Sequence, residues 1–181
     1  MNNNLYQHIT TKPQISALLI MVITINMFLW INKLYIIGIL FSVIVSAQVD
    51  LSGSWKLNTS KSKLSAEYSF APKEIIVVQR GNDLSVEKHS EWQGQEFTIN
   101  DKFTLDGKEC VNTGFMDTEK KSTVSMLDDK KTLKIDSKLP IQGETMTITE
   151  VYKMDGGNMV IEYSASSSYG DMTETQVYDK K

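Results

Sequence analysis

Arginine is almost missing from this chain of 181 residues: Arg80 is the only one. A guanidinium fork is the usual grip on phosphate or carboxylate, so anion-reading by arginine clusters is excluded. Cysteine is as scarce. Cys110 stands alone, so no disulfide forms within the chain, and a single thiol after a turn signal reads as a small hydrophobe rather than a nucleophile. Of 3 prolines, only Pro140 falls within the apolar-polar alternation that fills the second half of the chain. Catalytic signatures are missing too. No Gly-x-Ser-x-Gly elbow and no glycine-rich phosphate loop after a strand occur. Asp128-Asp129-Lys130-Lys131 lacks the ligand spacing of a calcium loop. The residues therefore nominate no catalytic group, no metal and no cofactor.

Acids are absent before Asp50, where the only bases of the Lys/Arg type are Lys12 and Lys33. From Gln48 onward 17 basic residues face 22 acidic ones, a net charge of −5. A mildly acidic domain with interspersed charges is a poor partner for nucleic acid. The acid-free leader holds two apolar runs, Ile15 to Ile31 and Leu34 to Val45. The second ends Val45-Ser46-Ala47, small residues at the spacing of a signal-peptidase site, and Met27 to Ala47 alone has the layout of a signal peptide. Residues 1–47 are thus expected to be a leader, helical in its apolar part. It is either cleaved, giving a secreted or periplasmic domain, or retained as a membrane anchor, the one place where the chain would touch a membrane.

From Gln48 to Lys181 turn signals recur every 11 to 14 residues or so, the spacing of a strand of about ten residues and a tight turn. They include Gly81-Asn82-Asp83, Gln93-Gly94, Asp106-Gly107, Asp128-Asp129, Gln142-Gly143 and Asp155-Gly156-Gly157-Asn158. Between them apolar residues alternate with polar ones. Phe97, Ile99, Phe103 and Leu105 share a face, as do Met146, Ile148, Tyr152 and Met154. The pattern predicts an all-β fold, an antiparallel up-and-down meander of about 8 to 10 strands that disposes of its edges by closing into a barrel. One long connection, Asn58 to Pro72, interrupts the rhythm. It reads equally as a short helical turn across a barrel mouth or as a solvated loop pinned by Tyr68 and Phe70.

Ser52-Gly53-Ser54-Trp55-Lys56-Leu57-Asn58 opens the meander, and Thr175 to Lys180 closes it. Gly53-Ser54-Trp55 resembles the opening Gly-x-Trp strand of the calycins, the lipocalins and fatty-acid-binding proteins. The closing segment is similar to the last strand of the intracellular fatty-acid-binding proteins. With Lys61-Ser62-Lys63, the opening also resembles the small exported lipocalin-like domains common in bacteria. The resemblance implies a ligand-binding barrel. It departs at one informative point: Gln176 stands where the fatty-acid-binding proteins have the Arg of Arg-x-Tyr, leaving only Tyr178. A neutral amide makes no charge-assisted fork with a carboxylate.

Polar residues on the apolar faces are the candidate site. Asp101 lies among Phe97, Ile99 and Phe103, Glu150 between Ile148 and Tyr152, and Gln176 beside Tyr178. Together with Trp55, Met146 and Tyr163 they would line a lumen for a small, largely apolar ligand such as a lipid. The other readings place these polar residues at solvated strand ends or bulges, or make the barrel a solid structural or interaction module. His89 shares a face with Glu87 and Glu91, which reads as an outward, solvated face rather than a metal site.

Overall fold

The computed structural model describes residues 19–28, 48–66, 68–114, 117–127, 130–141 and 143–181. The chain divides into two compact units, Met1–Ser46 and Ala47–Lys181. In the first, residues 19–28 form a helix. Its polar side chains turn back on their own backbone: Thr24 Oγ1 donates to the Met21 carbonyl at 2.9 Å and Asn26 Nδ2 to that of Val22 at 2.8 Å. Among the described residues no helix is long and apolar enough to cross a membrane. The rest of the leader, including all of the expected signal segment after Phe28, lies outside the described residues.

The second unit is the expected meander of ten strands. They are β1 (Gly53–Leu57), β2 (Glu74–Arg80), β3 (Asp83–Trp92), β4 (Gln95–Thr104) and β5 (Glu109–Thr113). Then come β6 (Glu119–Met126), β7 (Thr132–Ile141), β8 (Glu144–Asp155), β9 (Asn158–Ser167) and β10 (Gly170–Lys180). Their order in the sheet is β4-β3-β2-β1-β10-β9-β8-β7-β6-β5, so the first strand pairs with the last in the middle. Two-residue turns close the β3–β4 and β8–β9 hairpins. Gln93 and Gly94, with φ of 51° and 80°, and Gly156 and Gly157, with 54° and 88°, supply the left-handed pairs that match strand twist. Pro140 sits two residues beyond the last β6 partner of β7, Lys138, where a missing N–H costs that ladder nothing.

Alternation sends one side chain in two inward, and the inward set forms a single core around Trp55, Val77, Leu84, Phe103, Leu133, Tyr152, Met159 and Tyr178. This core fills one end of the barrel. Trp55 lies at its base, its indole Nε1 donating to the Leu51 carbonyl at 2.9 Å. Lys180 Nζ stands 5.5 Å from the ring centroid, a cation on a π face. A Cβ at Gly53 would come within 3.2 Å of Lys180 Cε and 3.4 Å of Trp55 Nε1, and φ there is 150°. The glycine keeps open the room that this stack occupies.

β4 and β5, the ends of the sheet order, share no ladder. Side chains close the seam instead. The Asn112 amide takes both backbone groups of Lys102, its Oδ1 accepting from the N–H at 2.8 Å and its Nδ2 donating to the carbonyl at 3.0 Å. Cys110 Sγ accepts from Thr104 N at 3.2 Å, so the lone thiol is a structural acceptor in this seam.

Candidate functional site

Inward-facing residues differ along the barrel axis. At the end with Trp55 they are buried, whereas toward the other end Ile99, Met146, Ile148 and Met172 are partly exposed. That second end is where the β3–β4, β7–β8 and β9–β10 turns lie, and it is the mouth of the barrel. The connection 58–72 runs along it without helix in its described residues. It first extends the sheet where β1 stops, with Asn58 N donating to the Val177 carbonyl at 2.8 Å and Lys63 pairing with Thr175. Then Ser65 N donates to Glu174 Oε1 at 3.0 Å. Finally Phe70 stacks on Trp92 with centroids 6.4 Å apart, and Tyr68 meets Phe70 edge-on at 5.7 Å. The segment shares in both expectations: a single turn at its start, where Lys61 N and Ser62 N donate to the Asn58 carbonyl at 3.3 and 3.1 Å, and then a loop whose Tyr68 and Phe70 remain exposed.

Below the mouth lies a belt of polar groups. Glu150 on β8 accepts from Lys88 Nζ on β3 at 2.6 Å and from the Tyr152 hydroxyl at 3.2 Å, both at Oε1. β3 and β8 lie five places apart in a sheet of ten strands, so this ion pair spans the lumen. Asp101 on β4 meets Lys120 on β6, with Nζ 2.6 Å from Oδ1 and 2.7 Å from Oδ2. That pair reaches past β5 and ties the seam from inside. On β10 the period of two lines up a chain of donors. The Tyr178 hydroxyl donates to Gln176 Oε1 at 3.0 Å, and Gln176 Nε2 to Glu174 Oε2 at 2.8 Å. Ser122 and Ser137 share a hydrogen bond of 2.8 Å on the opposite wall.

Burial and charge act together on this belt. Burial alone would lower the Lys88 ammonium, but the carboxylates of Glu150 and Asp101 outweigh it and hold the pKa above the ordinary lysine value. Tyr152 is pushed well above the usual tyrosine range by burial and by Glu150 and Asp101. Burial likewise raises Tyr163 and Tyr178, helped by Glu150 for the first and by Tyr152 for the second.

Of the residues nominated from sequence, Trp55, Asp101, Phe103, Glu150, Tyr152, Tyr163, Gln176 and Tyr178 are buried. Trp55 and Phe103 belong to the packed core below the belt, while Asp101, Glu150, Tyr152, Gln176 and Tyr178 are brought into the belt itself. Met146 is half-buried near the mouth, and Phe97 is 44% exposed at its rim, beyond the reach of the belt. Sequence reasoning passed over the two cations, Lys88 and Lys120. Each sits two residues from an inward neighbour, Val86 and Ser122, so alternation alone would have placed them inside. His89 faces outward as expected, with Nε2 2.8 Å from Glu87 Oε1, and no cluster fit to hold a metal occurs among the described residues. Two recesses of about 400 and 420 Å³ lie outside the lumen. One follows the outer side of the β4–β5 seam along Asn100, Lys102 and Val111, and the other sits at the closed end by Gln48, Met126 and Lys130.

No family model matches the sequence, and no curated protein does. Solved structures match the barrel. A secretary abundant heat soluble (SAHS) protein from Ramazzottius varieornatus is 18% identical, with a TM-score of 0.53 over 72% of this chain and 95% of that one. The zebrafish ileal bile-acid-binding protein, solved with cholic acid, is 16% identical with a TM-score of 0.49 over 72% of this chain and 98% of that one. A Schistosoma mansoni fatty-acid-binding protein, solved with arachidonic acid, is 17% identical with a TM-score of 0.47 over 72% and 95%. At these identities the likeness is one of fold. The strand order, the central β1–β10 pair and the side-chain-closed seam between β4 and β5 make this chain a ten-stranded antiparallel up-and-down barrel, the fold in which it resembles the SAHS protein.

Proposed function

We propose that this is a non-enzymatic binding protein, exported by its leader, whose barrel carries a small, largely apolar molecule near the mouth. The observation that carries the reading is the gradient along the lumen. A packed apolar end gives way to a polar belt, and above the belt inward-facing Ile99, Met146, Ile148 and Met172 are within reach of solvent. A solid barrel has no use for ionised side chains across its axis, since burying them costs several kcal/mol each before pairing returns part of it (on the order of Born estimates). A binding lumen does, because a few convergent polar groups orient an otherwise apolar guest. The strap of residues 58–72 would cover such a guest through its Ser65–Glu174 contact. Exposed Tyr68, Phe70, Trp92 and Phe97 give the rim an apolar surface across which it would pass.

A second reading, a filled barrel acting through its outer surface, draws support from the two recesses, which both lie outside the lumen. Native mass spectrometry of the exported form, recovered after exposure to a lipid extract, separates the two. A discrete added mass is the expected result. Bare protein with an intact β spectrum would overturn the carrier reading and favour the second.

A further inference from the structure

Part of the β4 edge is free. Backbone groups alternate sides along a strand, and in β4 the odd residues face β3 while the even ones face the seam. At the closed end the seam is filled: the Asn112 amide takes both groups of Lys102, and Cys110 Sγ takes the Thr104 N–H. Toward the mouth it is not. The β5–β6 hairpin ends with Gly114 N donating to the Thr118 carbonyl at 2.6 Å, about level with Asn100, whereas β4 runs on to Gln95. The N–H and carbonyl groups of Glu96, Thr98 and Asn100 therefore meet no strand, and none of them has a hydrogen-bond partner among the described residues. All three residues are exposed. Such an edge is a template for a further strand, and proline or a bulge would blunt it. This stretch has neither, its pairing with β3 running unbroken from Trp92–Gln95 to Asp83–Thr104.

We propose that this edge docks an extended, basic segment of another polypeptide, which adds to β4 as an antiparallel strand. The segment residues opposite Glu96, Thr98 and Asn100 each exchange two main-chain hydrogen bonds with β4, and their side chains lie on its outer face. That face is acidic. Glu96 lies across from Glu91 and Asn100 from Glu87, while Lys73 is already paired with Glu91 and His89 meets Glu87. Lysine or arginine at the outward positions answers Glu96 directly and the two β3 carboxylates from one strand further. The alternate side chains turn inward onto Phe97, which is exposed, and Ile99, which is partly so, and there apolar residues fit. Beyond Asn100 the segment reaches the recess of about 400 Å³ along Lys102, Val111 and Thr113, where Val111 is 57% exposed and offers an apolar contact. A second copy of β4 suits the edge less well. It would set Glu96 against Asn100 and bring two acidic faces together, in a domain whose net charge from Gln48 onward is −5.

The test titrates the purified full-length chain at pH 7 with a capped peptide that alternates lysine and valine, and with the same peptide carrying glutamate for lysine. The basic peptide should bind about tenfold tighter or better than the acidic one. Charge alone is separated from strand pairing by N-methylation. Methyl groups on the lysine amides, which face β4, should weaken binding about tenfold, and methyl groups on the valine amides, which face away, should leave it within about twofold. Bound peptide should slow hydrogen exchange at the Thr98 and Asn100 amides and leave Ile99, already turned to β3, unchanged. Thr98→Pro removes an edge donor without costing a β3–β4 bond and should weaken binding about tenfold. If that variant folds poorly, the two methylated peptides on the unmodified chain still decide the matter. Equal weakening by either methylation pattern, protection at amides away from the β4 edge, or binding of neither peptide would overturn the proposal. So would protection of Thr98 and Asn100 that grows with protein concentration in the absence of peptide, which would assign the edge to a second copy.

Discussion

At the scale of single residues, the belt shows what alternation along a strand can and cannot reveal. Asp101, Glu150 and Gln176 are conspicuous in sequence because a polar residue interrupts an apolar face, and all three are buried. Their partners are not conspicuous. Lys88 lies 62 residues from Glu150 and Lys120 lies 19 from Asp101, distances that only the closed sheet brings together. The same applies to Lys180, whose place on Trp55 depends on the β1–β10 pairing. Removing one member of the lumen-spanning pair leaves the other charged and buried. Glu150→Gln should therefore cost about 3 kcal/mol in a urea titration, whereas Lys88→Met/Glu150→Leu together should stay near the parent stability. At the base, Gly53→Ala places a Cβ against the Lys180–Trp55 stack at an unfavourable φ, and should lower stability by about 1–3 kcal/mol in the same titration.

Elements were easier to read than their joints. Turn chemistry at Gln93-Gly94 and Asp155-Gly156-Gly157-Asn158 locates the hairpins because only certain residues accept left-handed φ, a strictly local requirement. The connection 58–72 resisted, since its conformation is set by what it touches on β10 and β3 rather than by its own propensities. The seam resisted for a related reason. No periodicity announces that β4 and β5 part and that an asparagine side chain stands in for a strand. Asn112→Ala exposes both backbone groups of Lys102. It should cost about 1–2 kcal/mol, and hydrogen exchange should speed up at the Lys102 amide far more than at amides within the β8–β9 ladder.

For the whole molecule, the polar belt ties stability to alkaline pH. Tyr152, Tyr163 and Tyr178 all have pKa values raised by burial in the folded state. A raised folded value means that stability is complete below the unfolded tyrosine value, about 10, and is lost as pH climbs past it, because the unfolded chain then releases protons that the folded one keeps. Lys88 acts in the same direction. Unfolding monitored by circular dichroism should therefore coincide with the ultraviolet absorbance of tyrosinate above pH about 10, and Tyr178→Phe should shift that alkaline midpoint upward. Closure of the meander was legible because unpaired edges are a liability. The division of the lumen into a packed end and an accessible end was not, since inward-facing methionines and isoleucines look alike wherever they stand along the axis.

That division is the centre of the account, and the methionine methyl groups report on it directly. In a chain labelled with carbon-13 at methionine methyls, saturating hexadecanol should shift Met146 and Met172 near the mouth and leave Met159, buried in the closed end, in place. A shift of Met159 with Met146 and Met172 unmoved, or no shift at any of the three while the alcohol is bound elsewhere, would contradict it.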